Sequence, residues 1–223
     1  MNAGFFKRMF SSVIDIAIII LITYLTFLIG GRPILQSQIE NFEQINSAYT
    51  EIVDVYNDNI NSLIAQYNAA MTAADGDTSL EDAAEANYAT ARAIIDQQNT
   101  IDLAPYDEPM TSYFLDCVFY FAIGFIILMS VYTVILSGKT LGRKLMQIRL
   151  EGPSLNPLSV FFHDIIFKYF FIVLVLSVSL VAGLVLLVLT FVIDTILIGF
   201  TPKKAALRDV LLKLFVVKAG YGY

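Results

Sequence analysis

The chain has 223 residues, 57% of them hydrophobic, with no Trp and a mean hydropathy of +0.68. That balance excludes an ordinary soluble domain and marks a polytopic membrane protein. The single Cys, Cys117, excludes an internal disulfide framework, and with a net charge of −6 no nucleic-acid partner is expected.

Lys7 and Arg8 precede an apolar run from about Met9 to Ile29. The run is of spanning length, contains Asp15 and lacks a clear small-residue cleavage site. It is therefore expected to be a retained first span, not a removed leader. "GGRP" at 30–33 should end that helix, which makes residues 1–30 the first span with its N-terminal flank. Between Gly31 and Met110 stand fourteen acids against Arg32 and Arg92, a balance of −12 that leaves +6 for the rest. The two portions should face different environments.

Residues 31–112 carry an apolar stripe through Ile39, Phe42, Ile45, Tyr49, Ile52, Tyr56, Ile60, Leu63 and Tyr67, at helical spacings of three and four. "NDNIN" at 57–61 is a candidate bend, and "ADGD" at 74–77 breaks the pattern. Thr78 with Glu81 reads as a capping box for a second helix, whose weaker stripe runs through Leu80, Ala84, Tyr88, Ala91 and Ile95. A helical hairpin turning at Asp75 to Asp77 is predicted.

Span two is expected over about Tyr113 to Leu136, in a region 113–201 that also holds a basic loop, 138–157, and the last two spans. The apolar stretch from Leu158 to Phe200 is long enough for two spans of about twenty residues, and a turn near Ser179 to Gly183 divides it. Lys139, Arg143, Lys144 and Arg149 in the loop, and Lys203, Lys204, Arg208, Lys213 and Lys218 in the tail 202–223, place both on the cytoplasmic side by the positive-inside rule. An even number of crossings must separate them. The predicted fold is an all-α integral membrane protein of the cell membrane, with four transmembrane helices and both termini cytoplasmic. The acidic hairpin is inserted between spans one and two on the outer side.

In this topology the buried ionisable groups gather at the inner ends of the spans. Arg8 and Asp15 are seven residues apart, two helical turns, so they share one face. At ~10 Å of rise they are too far apart to pair along the helix. Asp15 should instead meet a base or hydroxyl on another segment, with Arg149, Arg208 and Arg8 the leading candidates, or a bound cation. Asp164 beside His163 lies near the inner end of span three, and Asp194 near that of span four. Two readings stay open: a charge network that fixes helix packing, and a site for an ion or ligand. "GKT" at 138–140 is not a phosphate loop, because the required first Gly falls on Thr133. There is no nucleophile–base constellation and no zinc motif, so no enzyme activity, cofactor or metal is expected.

Three segments resemble the RDD family of bacterial membrane proteins, named for one arginine and two aspartates. "AGFFKRMFSSVID" is similar to its opening, with Arg8 and Asp15 at the family spacing. "GKTLGRKLMQIRLEGPSLNPLS" is similar to its loop, G-x-T-x-G-[KR]-[KR]-L-x-x-[IL]-R-[VL]. "PKKAALRDVLLKLFVV" is similar to its ending, L-H-D-x-x-A-G-T-x-V-V, which makes Asp209 the second aspartate. Arg208 stands where the family has His, and Lys213-Leu214 where it has Gly-Thr. The resemblance implies transport of an unidentified small ligand or ion, with cation or proton exchange one candidate, through a network of Arg8, Asp15, Asp164, Asp194, Arg208 and Asp209. The alternative is a non-catalytic adaptor or assembly protein. Beyond the lipid bilayer, its partner would be a second copy or another membrane or extracytoplasmic protein, met through residues 34–108.

Overall fold

The computed structural model describes residues 2–202 and 204–219, which form two compact units, Met1–Pro33 with Cys117–Tyr223 and Ile34–Asp116. Helix α1, Phe5–Thr26, buries Arg8, Ser11, Asp15, Ile19 and Thr23, a stripe at spacings of three and four. Its other faces expose Ile20, Leu21 and Leu25. Polar groups inside and apolar groups outside is the pattern a bilayer imposes, because lipid offers no partner for a polar side chain.

"GGRP" does not end the helix. A π-helical turn, Phe27–Gly31, runs on into α2, Arg32–Ser37, with Arg32 N–H donating to Phe27 O. Widening the turn takes up the proline, which stands in the first turn of α2 where its missing N–H costs least. The chain breaks instead at Asn41, in the left-handed region at φ 57°, a conformation Asn tolerates.

In the second unit α3, Phe42–Ala74, is unbroken. The expected bend at 57–61 is absent because Asn57, Asp58, Asn59 and Asn61 are exposed and solvated, while Tyr56, Ile60 and Leu63 hold the inner face. The turn falls at Asp75 (φ 45°) and Gly76 (φ 87°), and α4, Thr78–Ile135, follows. Its cap is Asp77, not the expected Thr78. Asp77 Oδ1 accepts from Ser79 N at 2.9 Å and Ser79 Oγ at 2.8 Å, and these bonds hold the carboxyl below its usual range. A carboxylate outcompetes a hydroxyl at the positive end of a helix.

Rings tie α3 to α4, with Tyr67 against Tyr88 at 4.9 Å and Phe42 against Tyr113 at 4.7 Å. Arg92 donates to both Asp96 (3.0 Å) and the Tyr56 hydroxyl (3.0 Å). The helix passes through Pro105 and Pro109 instead of restarting near Tyr113. The two prolines are four residues apart, so their missing N–H groups fall on one side of the helix, where carbonyls can turn to solvent.

From Cys117 the first unit resumes. After α4 come α5, Leu141–Leu145; β1, Ile148–Glu151; and α6, Pro157–Phe161, which continues as a π-helical stretch, Phe162–Phe170, into α7, Phe171–Val178. Ser179 is extended (φ −150°, ψ 112°), and its hydroxyl caps α8, Leu180–Phe200. Gly183 lets α7 and α8 close on each other: a Cβ there would lie 2.5 Å from the Leu176 side chain. Helix α9, Leu207–Leu212, and β2, Phe215–Lys218, end the described chain. Among the described residues, four helical runs are long and apolar enough to cross a membrane: Phe5–Ser37, Thr78–Ile135, Pro157–Val178 and Leu180–Phe200.

The fold is mostly helical but not purely α. β1 pairs antiparallel with β2, from Ile148 opposite Lys218 to Glu151 opposite Phe215. The N-terminal segment joins this ribbon through Ala3 N–H to Val216 O (2.7 Å). Under the ribbon Ala3, Ile148, Leu150, Val160, Leu214 and Val216 make a small apolar core. A second core of Ile19, Met129 and Ile165 lies among the spans.

Candidate functional site

Arg8 is buried, and its guanidinium gathers four points of the chain. Nε donates to Ala3 O (3.1 Å), Nη2 to Lys204 O (3.0 Å) and Val216 O (3.2 Å), and Nη1 pairs with Asp209 Oδ2. Asp209 is fully buried in the first turn of α9, where the same carboxylate accepts from Ala206 N at 3.1 Å. Its other oxygen meets His163 Nε2 at 2.8 Å. His163 Nδ1 in turn lies 2.7 Å from Asp164 Oδ1, which accepts from Arg143 Nη2 at 2.6 Å. Arg8, Asp209, His163, Asp164 and Arg143 thus form one continuous buried chain.

Two of these groups lie outside the spans and carry shifted acidities. Burial pushes the Asp209 carboxyl up, but His163 and Arg8 outweigh it and hold the group below the usual carboxylate range. Burial alone would lower Arg143, yet Asp164 and Asp15 raise it. The imidazole adds a proton count. Neutral His has one N–H, and both of its neighbours here are carboxylate oxygens. Two hydrogen bonds therefore require one more proton in the Asp164–His163–Asp209 set.

Asp15 is held differently. Tyr132 Oη donates to Oδ1 at 2.8 Å, Gly142 N–H to Oδ1 at 2.8 Å, and Thr140 Oγ1 to Oδ2 at 2.6 Å. Thr140 is also the N-cap of α5, accepting from Arg143 N. The Tyr132 hydroxyl takes Leu141 N–H at 2.7 Å. The loop after α4 therefore presents the Thr140 hydroxyl and the Gly142 amide to a carboxylate on α1, and α4 itself adds the Tyr132 hydroxyl. Gly142 permits the approach, since a Cβ there would stand 2.1 Å from Ser11 O.

The expected partner of Asp15, a base or a hydroxyl, is a pair of hydroxyls and an amide. None of the three arginines expected there meets it. Arg8 is taken by Asp209, Arg149 pairs with Glu151 on the surface, and Arg208 pairs with Asp194 at 2.8 Å. An amide and two hydroxyls already satisfy the carboxylate, so it needs no base. Of the six residues expected to act together, Arg8, Asp164 and Asp209 are linked through His163. Asp194 and Arg208 form a separate pair. Arg8, Asp15, Asp164 and Arg208, with Lys168, line one polar cavity of about 30 Å³. Within it Asp164 Oδ2 and Arg208 Nε have no partner among the described residues.

Sequence reasoning missed Tyr132, Thr140, Gly142 and Arg143 as partners, and the second contact of His163. Thr140, Gly142 and Arg143 all stand in the loop motif, so the signal was present in that pattern without a geometry to read it. Where the resemblance places an imidazole at 208, Asp209 here draws one from His163, and Arg208 is free to meet Asp194.

The RDD family model matches residues 88–213, more than half of the chain. No curated protein and no solved structure matches it. The matched stretch holds the Thr140–Gly142 loop, His163, Asp164 and Asp209, and it leaves α1 with Arg8 and Asp15 to be joined by the contacts described above. With those contacts and that match, the chain belongs to the RDD family of membrane proteins.

Proposed function

We propose that this protein is a non-enzymatic assembly protein of the cell membrane, in which the arginine–aspartate network clamps the helices and residues 34–108 receive a protein partner. The observation that carries this reading is that the protein meets most of the network's polar atoms itself, Asp164 Oδ2 and Arg208 Nε excepted. Arg8, Asp15, Asp209 and Arg143 are each held by other groups of the protein, and Arg8, Asp15 and Arg143 line a cavity of about 30 Å³. That space holds a water or two and no organic ligand. Ile19, Met129 and Ile165 pack among the spans beside it, which favours a clamp over a permeation path.

The helical pair supports a docking role. Val55 and Ile94 are exposed beside a groove of about 430 Å³, which Asn99 also lines. Asn99 Oδ1 has no partner among the described residues, and a buried acceptor of that kind invites one. In the proposed topology this acidic pair is extracytoplasmic, and both termini and the 138–157 loop are cytoplasmic. The charge balance of −12 against +6 supports that orientation. The test is the mass of the complex extracted from native membranes in mild detergent. Wild type should run as a defined homo- or hetero-complex, and Val55→Asp with Ile94→Asp should reduce it to the single chain. A wild type that is already a single chain rejects the reading.

Proton or small-cation exchange is the second reading, and one observation favours it: the Asp164–His163–Asp209 set needs an added proton to complete its hydrogen bonds. Purified protein in vesicles should then dissipate a pH or cation gradient, and His163→Gln should abolish the flux. No flux from wild type rejects it.

A further inference from the structure

A groove of about 620 Å³ lies between α1, the third span and α8. Its walls are apolar, with Val13, Ile16 and Ile20 from one side, Leu176 from another and Leu187 from the third, and one end is ionic, formed by Lys168, Arg208 and Asp194. Arg208 and Asp194 cancel at 2.8 Å. Lys168 does not cancel: its ammonium donates to Ser12 Oγ at 2.7 Å and lies 4.8 Å from the Tyr169 ring centroid. It has no carboxylate within ion-pair distance among the described residues. The ionic end is therefore left with one amine that no carboxylate among the described residues neutralises, and an anion bound there would hold it charged.

From Ser12, which the Lys168 ammonium meets, to Ile20 the groove follows α1 for eight residues, ~12 Å at 1.5 Å per residue. One leaflet of a bilayer is ~15 Å of hydrocarbon. We propose that the groove is a binding site for one anionic phospholipid, its phosphodiester at Lys168 and an acyl chain along α1 and α7. The match is of length, polarity and charge together. From Lys168 the groove runs through most of a leaflet's depth, its walls suit an acyl chain, and its ionic end holds the one amine that a phosphodiester would keep charged. A zwitterionic lipid would bring its own cation and gain less there.

The experiment is native mass spectrometry of the full chain in detergent, titrated with phosphatidylglycerol, with phosphatidylcholine of the same chains, and with glycerophosphate. Wild type should keep one phosphatidylglycerol in preference to phosphatidylcholine. Lys168→Gln should weaken that preference roughly tenfold, the equivalent of one charge-assisted hydrogen bond, and Lys168→Arg should retain it. Leu176→Trp, which fills the groove, should remove the phospholipid adduct with either headgroup. Glycerophosphate should not bind. An unchanged preference in Lys168→Gln, equal loss in the Arg variant, or glycerophosphate binding as well as the lipid would each overturn the proposal. A dimer that replaces the adduct and is dispersed by Leu176→Trp would assign the groove to a second copy and overturn it too.

Discussion

Gly142 sets how closely the 138–157 loop approaches α1, because its N–H reaches Asp15 only while no Cβ intervenes. In Gly142→Ala the methyl would stand 2.1 Å from Ser11 O and 2.9 Å from Asp15 Cγ. The loop must then retreat, and Asp15 loses its amide donor. We expect a cost of about 2–4 kcal/mol, the sum of overpacking and one hydrogen bond to a charged group, seen as a lower unfolding midpoint in detergent. An unchanged midpoint would sink this account of the loop.

Asp209 makes a prediction of opposite character. Its folded carboxyl titrates below its unfolded value, so its stabilisation is present above about pH 4 and is lost as pH falls through the folded value. The midpoint of wild type should therefore decline below about pH 4. Asp209→Asn should start lower and decline less steeply. Parallel curves would remove Asp209 as a source of the acid sensitivity.

At the scale of elements, α9 ends on Lys213 at φ 53°, the left-handed cap that closes a helix before a strand. The resemblance places Gly at this position, and the backbone explains why: a side chain in this region costs about 1–2 kcal/mol, part of which Gly gives back as unfolded-state entropy. Lys213 is exposed, and among the described residues it forms no ion pair. Lys213→Gly should therefore stabilise the protein by roughly 0.5–1 kcal/mol, read as a raised midpoint. A lowered midpoint would mean that the side chain has a role the backbone does not reveal.

The spans themselves were legible, because apolar length is a property of one segment. The division at Ser179 was legible for the same reason. "IRLE" and "FVVK" were not, since each is four residues long and becomes a strand only by meeting the other across more than sixty positions. "GGRP" and the two prolines of α4 misled because a helix can absorb a missing N–H where a wider turn or solvent takes the freed carbonyl. In the site, the stripe shared by Arg8 and Asp15 follows from helical period, whereas the partner each would choose depends on loops whose path the period does not fix. His163 is the clearest case. Its neighbour Asp164 is adjacent in sequence, but its second partner, Asp209, is brought in by α9.

For the whole molecule, charge is the only sequence property that distinguishes the two sides of the membrane. Residues 31–110 carry −12 and the remainder +6, and lysines and arginines close to the spans resist translocation. The basic loop and the segments tied to it by Arg8, Arg143 and the β1–β2 ribbon must share a side, because one hydrogen-bonded cluster holds them together. The prediction is that this side is cytoplasmic and that residues 34–108 lie outside. It is tested in a Cys117→Ser background with a cysteine placed at Ser47 or at Ser154, using a reagent that does not cross the membrane. In intact cells Ser47→Cys should be labelled and Ser154→Cys protected, and permeabilisation should expose both. Labelling of Ser154→Cys alone in intact cells would invert the topology. It would also carry Arg8, Asp15 and the whole charge network to the outer face.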